Sequence, residues 1–295
     1  MALKPYLQLM RPANIVTAVS DILAGVAIAL LFVVDGPMAL DWPALVALIL
    51  ATIGLYGGGV VFNDVFDADL DARERPERPL PSGRASMRGA IGLGSVLFVG
   101  GVAAAWSVGT SAGSIAVAIV LMCLMYDKWA KHYPVAGPLA MGLCRGLNLL
   151  LGISYSLIAL NEVWFLAIVP VIYIAAVTTI SRGEVHGGQR MPLFFSAVGY
   201  AVVVGCIAAF GLYYDGGILE VGMLLPFACF VFPPLVKAMR TLAAGDIRKS
   251  VKHGVIGLIF LNAAWAAAAG MWALAPVVLL LFPLSIWMAR LFAVT

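Results

Sequence analysis

Apolar residues come in runs of about 20 along this chain, broken by short polar segments, and a helix of about that length crosses the hydrocarbon of a bilayer. Ten such runs predict ten transmembrane helices, at 13 to 34, 43 to 64, 87 to 107, 111 to 126, 136 to 158, 162 to 181, 192 to 213, 218 to 239, 253 to 270 and 273 to 293. The first run follows Lys4 and Arg11 as a secretory leader would. It is too long for one and has no convincing cleavage site, so it is expected to be retained.

Composition agrees with the pattern. Of 295 residues, 63% are hydrophobic and only 11% charged, well outside the range of soluble domains. The expectation is an all-α, polytopic bundle of nine to ten helices forming one integral domain over residues 1–295, since no low-complexity linker divides it. Membrane lipid is the expected surrounding, and no nucleic-acid partner is expected. Cys123, Cys144, Cys206 and Cys229 are scattered among the spans without metal-ligand spacing and read as small packing residues.

Short cytoplasmic loops keep Lys and Arg, whereas translocated loops lose them. Lys4 and Arg11 precede span one, five arginines from Arg73 to Arg88 follow span two, Lys128 and Lys131 follow span four, and Arg182 and Arg190 follow span six. Lys237, Arg240, Arg248, Lys249 and Lys252 follow span eight, and Arg290 closes span ten. The alternate connections, around Asp35 and Asp41, Gly109, Glu162, Asp215 and Glu220, and Leu274, hold no Lys or Arg. Both termini are therefore predicted to be cytoplasmic; the expected bilayer is a bacterial or archaeal cytoplasmic (inner) membrane, and the sequence also permits an organellar one. Arg145 alone among the basic residues falls deep within a span. A charge there costs about 2.5 to 3.5 kcal/mol on insertion scales, so it must serve a site or a buried ion pair.

Charge being scarce, one cluster stands out: Asn63-Asp64-Val65-Phe66-Asp67-Ala68-Asp69-Leu70-Asp71, directly after the second apolar run. At 100° per residue, a helix continuing through it sets Asp64, Asp67 and Asp71 within about 60° of one another and turns Asp69 away. Like charges so close repel unless cations bridge them, and hard oxygen ligands around a diphosphate suit magnesium. Arg73, Arg75, Arg78, Arg84 and Arg88 beyond the cluster can bind phosphate oxygens as bidentate forks. The local chemistry reads as Mg²⁺ plus diphosphate, on the cytoplasmic side.

These residues resemble a known family. The run Asn63 to Asp71, followed by Arg78-Pro79-Leu80-Pro81-Ser82-Gly83-Arg84, is similar to the first signature of the UbiA superfamily of intramembrane prenyltransferases, N-D-x-x-D-x-x-x-D and then R-P-L-P-S-G. Arg11-Pro12 with Asn14, and Tyr126 with Lys131, match further family stretches. The resemblance implies ionisation of an allylic isoprenoid diphosphate and attack of an acceptor on the prenyl cation. It implies Mg²⁺ on Asp64, Asp67 and Asp71, with Lys131 and the loop arginines neutralising the leaving group. It also implies substrate contacts from Asn14, Asn63, Tyr126, Arg78 and Arg84, and an aromatic cavity drawn from Tyr56, Phe62, Tyr126 and Tyr155. The acceptor is open. Family members usually have nine helices, so the tenth run, 273 to 293, is either an addition to that pattern or a miscount.

The chain departs from the family at its second acidic motif, D-x-x-x-D after the sixth helix. Here Arg182 and His186 stand at the two aspartate positions, and Glu184 is the remaining carboxylate. Either Arg182 and His186 contact the diphosphate directly, or the protein is a non-catalytic relative that binds or moves an isoprenoid or lipid diphosphate. This pattern, with Cys144-Arg145-Gly146-Leu147-Asn148 in span five, resembles the EboC-like branch of the superfamily, with Arg145 and Asn148 as acceptor-pocket or bundle-pairing residues. A CDP-alcohol phosphotransferase is disfavoured, because no Asp-Gly-x-x-Ala-Arg precedes the aspartates.

Overall fold

The computed structural model describes residues 3–33, 40–184, 187–214 and 218–292, with the backbone alone at 218–221. His186 and the loop residues Asp35 and Asp215 lie outside the described residues, as does the side chain of Glu220. Among the described residues the protein is all-α, and ten helices are long and apolar enough to cross a membrane. A short helix α1 (Leu3–Met10) leads into α2 (Pro12–Leu30), followed by α3 (Trp42–Phe66), its short continuation α4 (Ala68–Glu74), α5 (Met87–Val108) and α6 (Thr110–Lys128). Then come α7 (Ala136–Ile153), α8 (Leu157–Val163), α9 (Ile168–Ser181), α10 (Arg190–Tyr213), α11 (Ile218–Thr241), α12 (Ala244–Ala268) and α13 (Leu274–Phe292). A 3₁₀ turn at Trp164–Ala167 joins α8 to α9, and the two together make the sixth span.

Local chemistry sets where the helices start. Asp41 accepts from the Ala44 amide at 3.2 Å, Ser86 from Gly89 at 3.1 Å and Ser156 from Ala159 at 3.3 Å, each satisfying an orphan donor at a helix start. Two boundaries depart from the hydropathy reading. The apolar run 136 to 158 holds a helix end, because Ser154 and Ser156 turn the chain and Ser156 opens α8. The ninth span, read as 253 to 270, begins at Ala244: hydrogen bonding continues outward past the apolar segment and carries Arg248, Lys249 and Lys252 on its first turns.

α2 and α12 lie at the centre, buried along most of their length, with α3, α7 and α13 packed on α2. Close approach of α2 to α7 depends on Gly25 and Gly152. A Cβ at Gly25 would lie 2.5 Å from the Leu149 carbonyl oxygen and 2.7 Å from the Gly152 Cα, so no side chain fits between the two backbones. The tenth span is present and packs on α2 and α12, with Ser285 Oγ donating to the Ala13 carbonyl at 3.0 Å. Large apolar side chains such as Leu50, Val96, Val99, Leu121 and Leu280 stay exposed on the outside, as a lipid-facing surface requires.

Candidate active site

The carboxylate cluster sits where α3 passes into α4. The turn at Asp67 interrupts the helix without breaking its bonding: the Asp67 amide donates to the Asn63 carbonyl at 3.0 Å, and the Asp71 amide to the Asp67 carbonyl at 2.8 Å. Asp64 and Asp71 are consequently turned inward, 5% and 2% exposed, and Asp69 faces out.

Each inward carboxylate meets a cation from another part of the chain. Arg11 donates to Asp64 Oδ1 at 2.5 Å. One Nη1 of Arg78 bridges two acids, at 2.6 Å from Asp71 and 3.4 Å from Asp64. Lys131, on a 3₁₀ turn just after α6, lies 2.6 Å from Asp67 Oδ1. Arg11 holds a left-handed conformation, φ 50°, directly before Pro12. That conformation costs a non-glycine residue about 1 to 2 kcal/mol, and such strain gathers at functional sites. Here it aims the guanidinium across the start of α2 at Asp64. Asn14 is half-buried one turn further on.

The stretch from Arg78 to Arg84 folds into a compact turn, and the structure separates its two arginines. Ser82 Oγ donates to the Arg78 carbonyl at 2.7 Å, the Ala85 amide to the Pro79 carbonyl at 2.9 Å, and Gly83 takes φ 72°. Arg78 turns to the acids. Arg84 instead clamps the turn, donating to Ser82 Oγ at 3.0 Å, the Glu77 carbonyl at 2.5 Å and Gln8 Oε1 of α1 at 3.2 Å.

The end of α6 adds a carboxylate that reading the sequence missed. Asp127, 3% exposed, accepts from Asn63 Nδ2 at 2.7 Å, beside the Lys131–Asp67 pair. Its neighbour Tyr126 is half-buried. Arg182 closes the arrangement from α9: its Nη2 donates to the main-chain carbonyls of Tyr133 at 2.5 Å and Lys131 at 3.4 Å, fixing the segment that presents Lys131. Glu184 is half-buried, and its carbonyl accepts from Arg248 at 3.3 Å. Burial raises its carboxyl above the ordinary carboxylate value, with Arg248 and Arg75 pulling the other way.

Among the described residues, no three acidic, histidine or cysteine side chains stand close enough to hold one metal ion. Arg11, Arg78 and Lys131 hold the carboxylates instead. The donor set still fits a hard divalent cation: its oxygens are carboxylates at the mouth of the bundle, and Asp64 and Asp71 are near enough to share one nitrogen.

The UbiA prenyltransferase family matches residues 22–241 of the chain. The protein belongs to that family. Digeranylgeranylglyceryl phosphate synthase of Methanoculleus marisnigri is 28% identical over 291 residues, covering 91% of this chain and 99% of the relative. The enzyme of the same name from Methanosarcina mazei is 32% identical over 222 residues, covering 70% and 77%. Among solved structures, an apo UbiA homolog from Aeropyrum pernix K1 matches with a TM-score of 0.70 at 20% identity, over 84% of this chain and 96% of that one. A UbiA homolog from Archaeoglobus fulgidus bound to GPP and Mg²⁺ matches with a TM-score of 0.62 at 16% identity, over 92% and 99%. The protein is thus an integral-membrane prenyltransferase with the UbiA fold.

Deeper in this UbiA bundle lies a second polar group, missed by the sequence reading apart from Arg145 and Asn148. Arg145 donates to Asp21 Oδ2 at 2.7 Å and to Thr17 Oγ1 at 2.5 Å. Asn148 donates to Asp21 and the Ala18 carbonyl and accepts from Thr52 at 2.8 Å, while Asn262 donates to Ser20 and to Asp21 Oδ1, both at 2.7 Å. All seven residues are buried, on α2, α3, α7 and α12. Along α3, Thr52 lies twelve residues below Asp64, about 18 Å at 1.5 Å per residue. Arg145 also sits 5.3 Å from the ring centre of Tyr56. Two of the aromatics named from the sequence, Tyr155 and Phe62, have contacts of their own. Tyr155 hydroxyl accepts from the Asp41 amide at the opposite end of the bundle, because α7 has ended by Ile153. Phe62 stacks on Phe98 between α3 and α5, at 5.3 Å.

Proposed function

We propose that this prenyltransferase takes an allylic isoprenoid diphosphate as donor and moves its chain to a glycerol-phosphate-type acceptor, with Mg²⁺ as cofactor, at a site open to the cytoplasm. The observation that carries the reading is the meeting of Asp64, Asp67 and Asp71 with Arg11, Arg78 and Lys131 at one end of the bundle. Four separated stretches of chain contribute, and the resulting set of anions and cations is what a diphosphate with its counter-ion needs. The acceptor class follows the relatives, whose name describes a glyceryl phosphate bearing two geranylgeranyl groups. Cytoplasmic orientation rests on the basic residues gathered in the loops at this end.

In the reaction the C1–O bond of the donor breaks, its electron pair leaves with the diphosphate, and the acceptor oxygen closes on C1 and gives up its proton. Arg11, Arg78 and Lys131, each partly shielded from water at the mouth of the bundle, are positioned to neutralise the departing charge. Asp64, Asp67 and Asp71, with Asn63, are the residues that would hold the metal, and Mg²⁺ when bound supplies further neutralisation of the leaving group. Arg182 supports this chemistry by anchoring the Lys131 segment. His186 stands in the same sequence stretch and is proposed with Glu184 as a further contact at the mouth.

The test is Mg²⁺-dependent diphosphate release in lipid nanodiscs, with geranyl, farnesyl and geranylgeranyl diphosphate as donors and a geranylgeranyl glycerol phosphate as acceptor. Release by wild type and its loss in Asp64→Asn and Asp67→Asn proteins that still fold is the expected result. Undiminished turnover in both variants overturns the reading.

A further inference from the structure

The ends of span two and span four are joined by two rungs of the same register. Asn63 meets Asp127 at 2.7 Å and Asp67 meets Lys131 at 2.6 Å, both across 64 positions of sequence. The rungs run with opposite polarity: span two offers a donor and then an acceptor, and the span four side offers an acceptor and then a donor. Asn63 and Asp67, four residues apart, lie on one helix face. What sets the direction of the Asn63 amide is therefore the chemistry of residue 127.

We propose that Asp127 is a positioning residue for the diphosphate site, acting through Asn63. A carboxylate accepts hydrogen bonds and cannot donate them, so Asp127 accommodates only the NH₂ corner of the Asn63 amide. The carbonyl corner, Oδ1, is then directed away from Asp127 and stays available as a hard oxygen on the face that carries Asp67. Burial of Asp127 at 3% exposure keeps water from competing for that bond. Asn63 Oδ1 would then add a neutral oxygen to the carboxylates of Asp64, Asp67 and Asp71. Outer-shell partners of this kind are worth about ten- to a hundred-fold in metal affinity. The inference rests on the Mg²⁺-diphosphate reading above and deepens it.

Geranyl thiolodiphosphate, an analogue slow to ionise, is titrated into the nanodisc-embedded protein with Mg²⁺ and with EDTA, alongside thermal unfolding of each variant. Asp127→Asn, nearly the same shape but able to donate as well as accept, is expected to weaken the Mg²⁺-dependent binding about ten-fold, at the low end of the outer-shell range, with its EDTA binding and unfolding midpoint unchanged. Asp127→Glu keeps an acceptor-only group and is expected to retain most of the affinity. In an Asn63→Ala background, exchanging Asp127 for Asn is expected to change nothing further. Three results overturn the inference while leaving the functional reading intact: wild-type affinity in D127N, an equal loss in EDTA, or the same loss with Asn63 already removed. A wild-type protein that binds the analogue neither with nor without Mg²⁺ overturns the functional reading and this inference together.

Discussion

Asp21 and Arg145, 124 positions apart in the chain, close to 2.7 Å in the middle of the bundle and are 1% and 6% exposed. Breaking a buried pair by removing one partner typically costs about 3 to 5 kcal/mol, because the other charge is left uncompensated. Arg145→Met is therefore expected to lower the thermal unfolding midpoint sharply, and Asp21→Leu likewise. The double variant should recover part of the loss and not all of it, since Asn148 and Asn262 both donate to Asp21. Unfolding of the two single variants and the double in one detergent measures the coupling.

The two arginines of the loop after span two should part company on substitution. Arg78→Ala removes the cation shared by Asp64 and Asp71, and is expected to cost most of the turnover while the protein stays folded. Arg84→Ala loses hydrogen bonds within the turn and to α1, each worth about 0.5 to 1.5 kcal/mol. Its effect should appear in stability and protease sensitivity, with donor KM little changed. Steady-state kinetics beside limited proteolysis separates the two.

Packing of α2 on α7 makes a third expectation. Gly25→Ala places a methyl group against backbone that cannot move independently, and should prevent the two helices from closing. Gly92→Ala, on α5, meets nothing within 4 Å and should fold as wild type does. Yield of monodisperse protein after extraction is the readout.

Burial of the Glu184 carboxyl makes stability depend on pH. Its carboxyl is raised by burial, so the folded protein holds that proton more tightly than the unfolded chain does. The contribution is fully present below the unfolded value, about 4.3, and is lost as pH rises through the higher folded value. Unfolding midpoints of wild type should thus fall across that window more steeply than those of Glu184→Gln.

The ten spans were legible because burial in lipid demands long apolar runs, and even the tenth could be read from them. Helix ends were less so: Ser156 and Ala244 start helices at places set by capping and by continued backbone bonding, to which a hydropathy window is blind. At the site, the helical spacing of Asp64, Asp67 and Asp71 was visible, but which cation each acid meets depends on how distant loops come together. Asp127 adjoins Tyr126 in the stretch that matches the family, but its role depends on Asn63, which another span contributes and the local sequence does not reveal. Asp21 carried a usable signal. An acid in mid-span needs a partner as much as Arg145 does, and pairing the two rare charges joins the first span to the fifth on sequence grounds alone.

That pairing bears on the order in which the protein is made. Asp21 enters the membrane with the first helix, and its counter-charge does not exist until the ribosome has added 124 more residues, a delay of roughly ten seconds at ordinary rates of synthesis. An ionised carboxylate at mid-bilayer costs about 2.5 to 3.5 kcal/mol on insertion scales. Helix α2 is therefore made well before the residue that neutralises its acid, and the centre of the enzyme can close only once α7 has followed it.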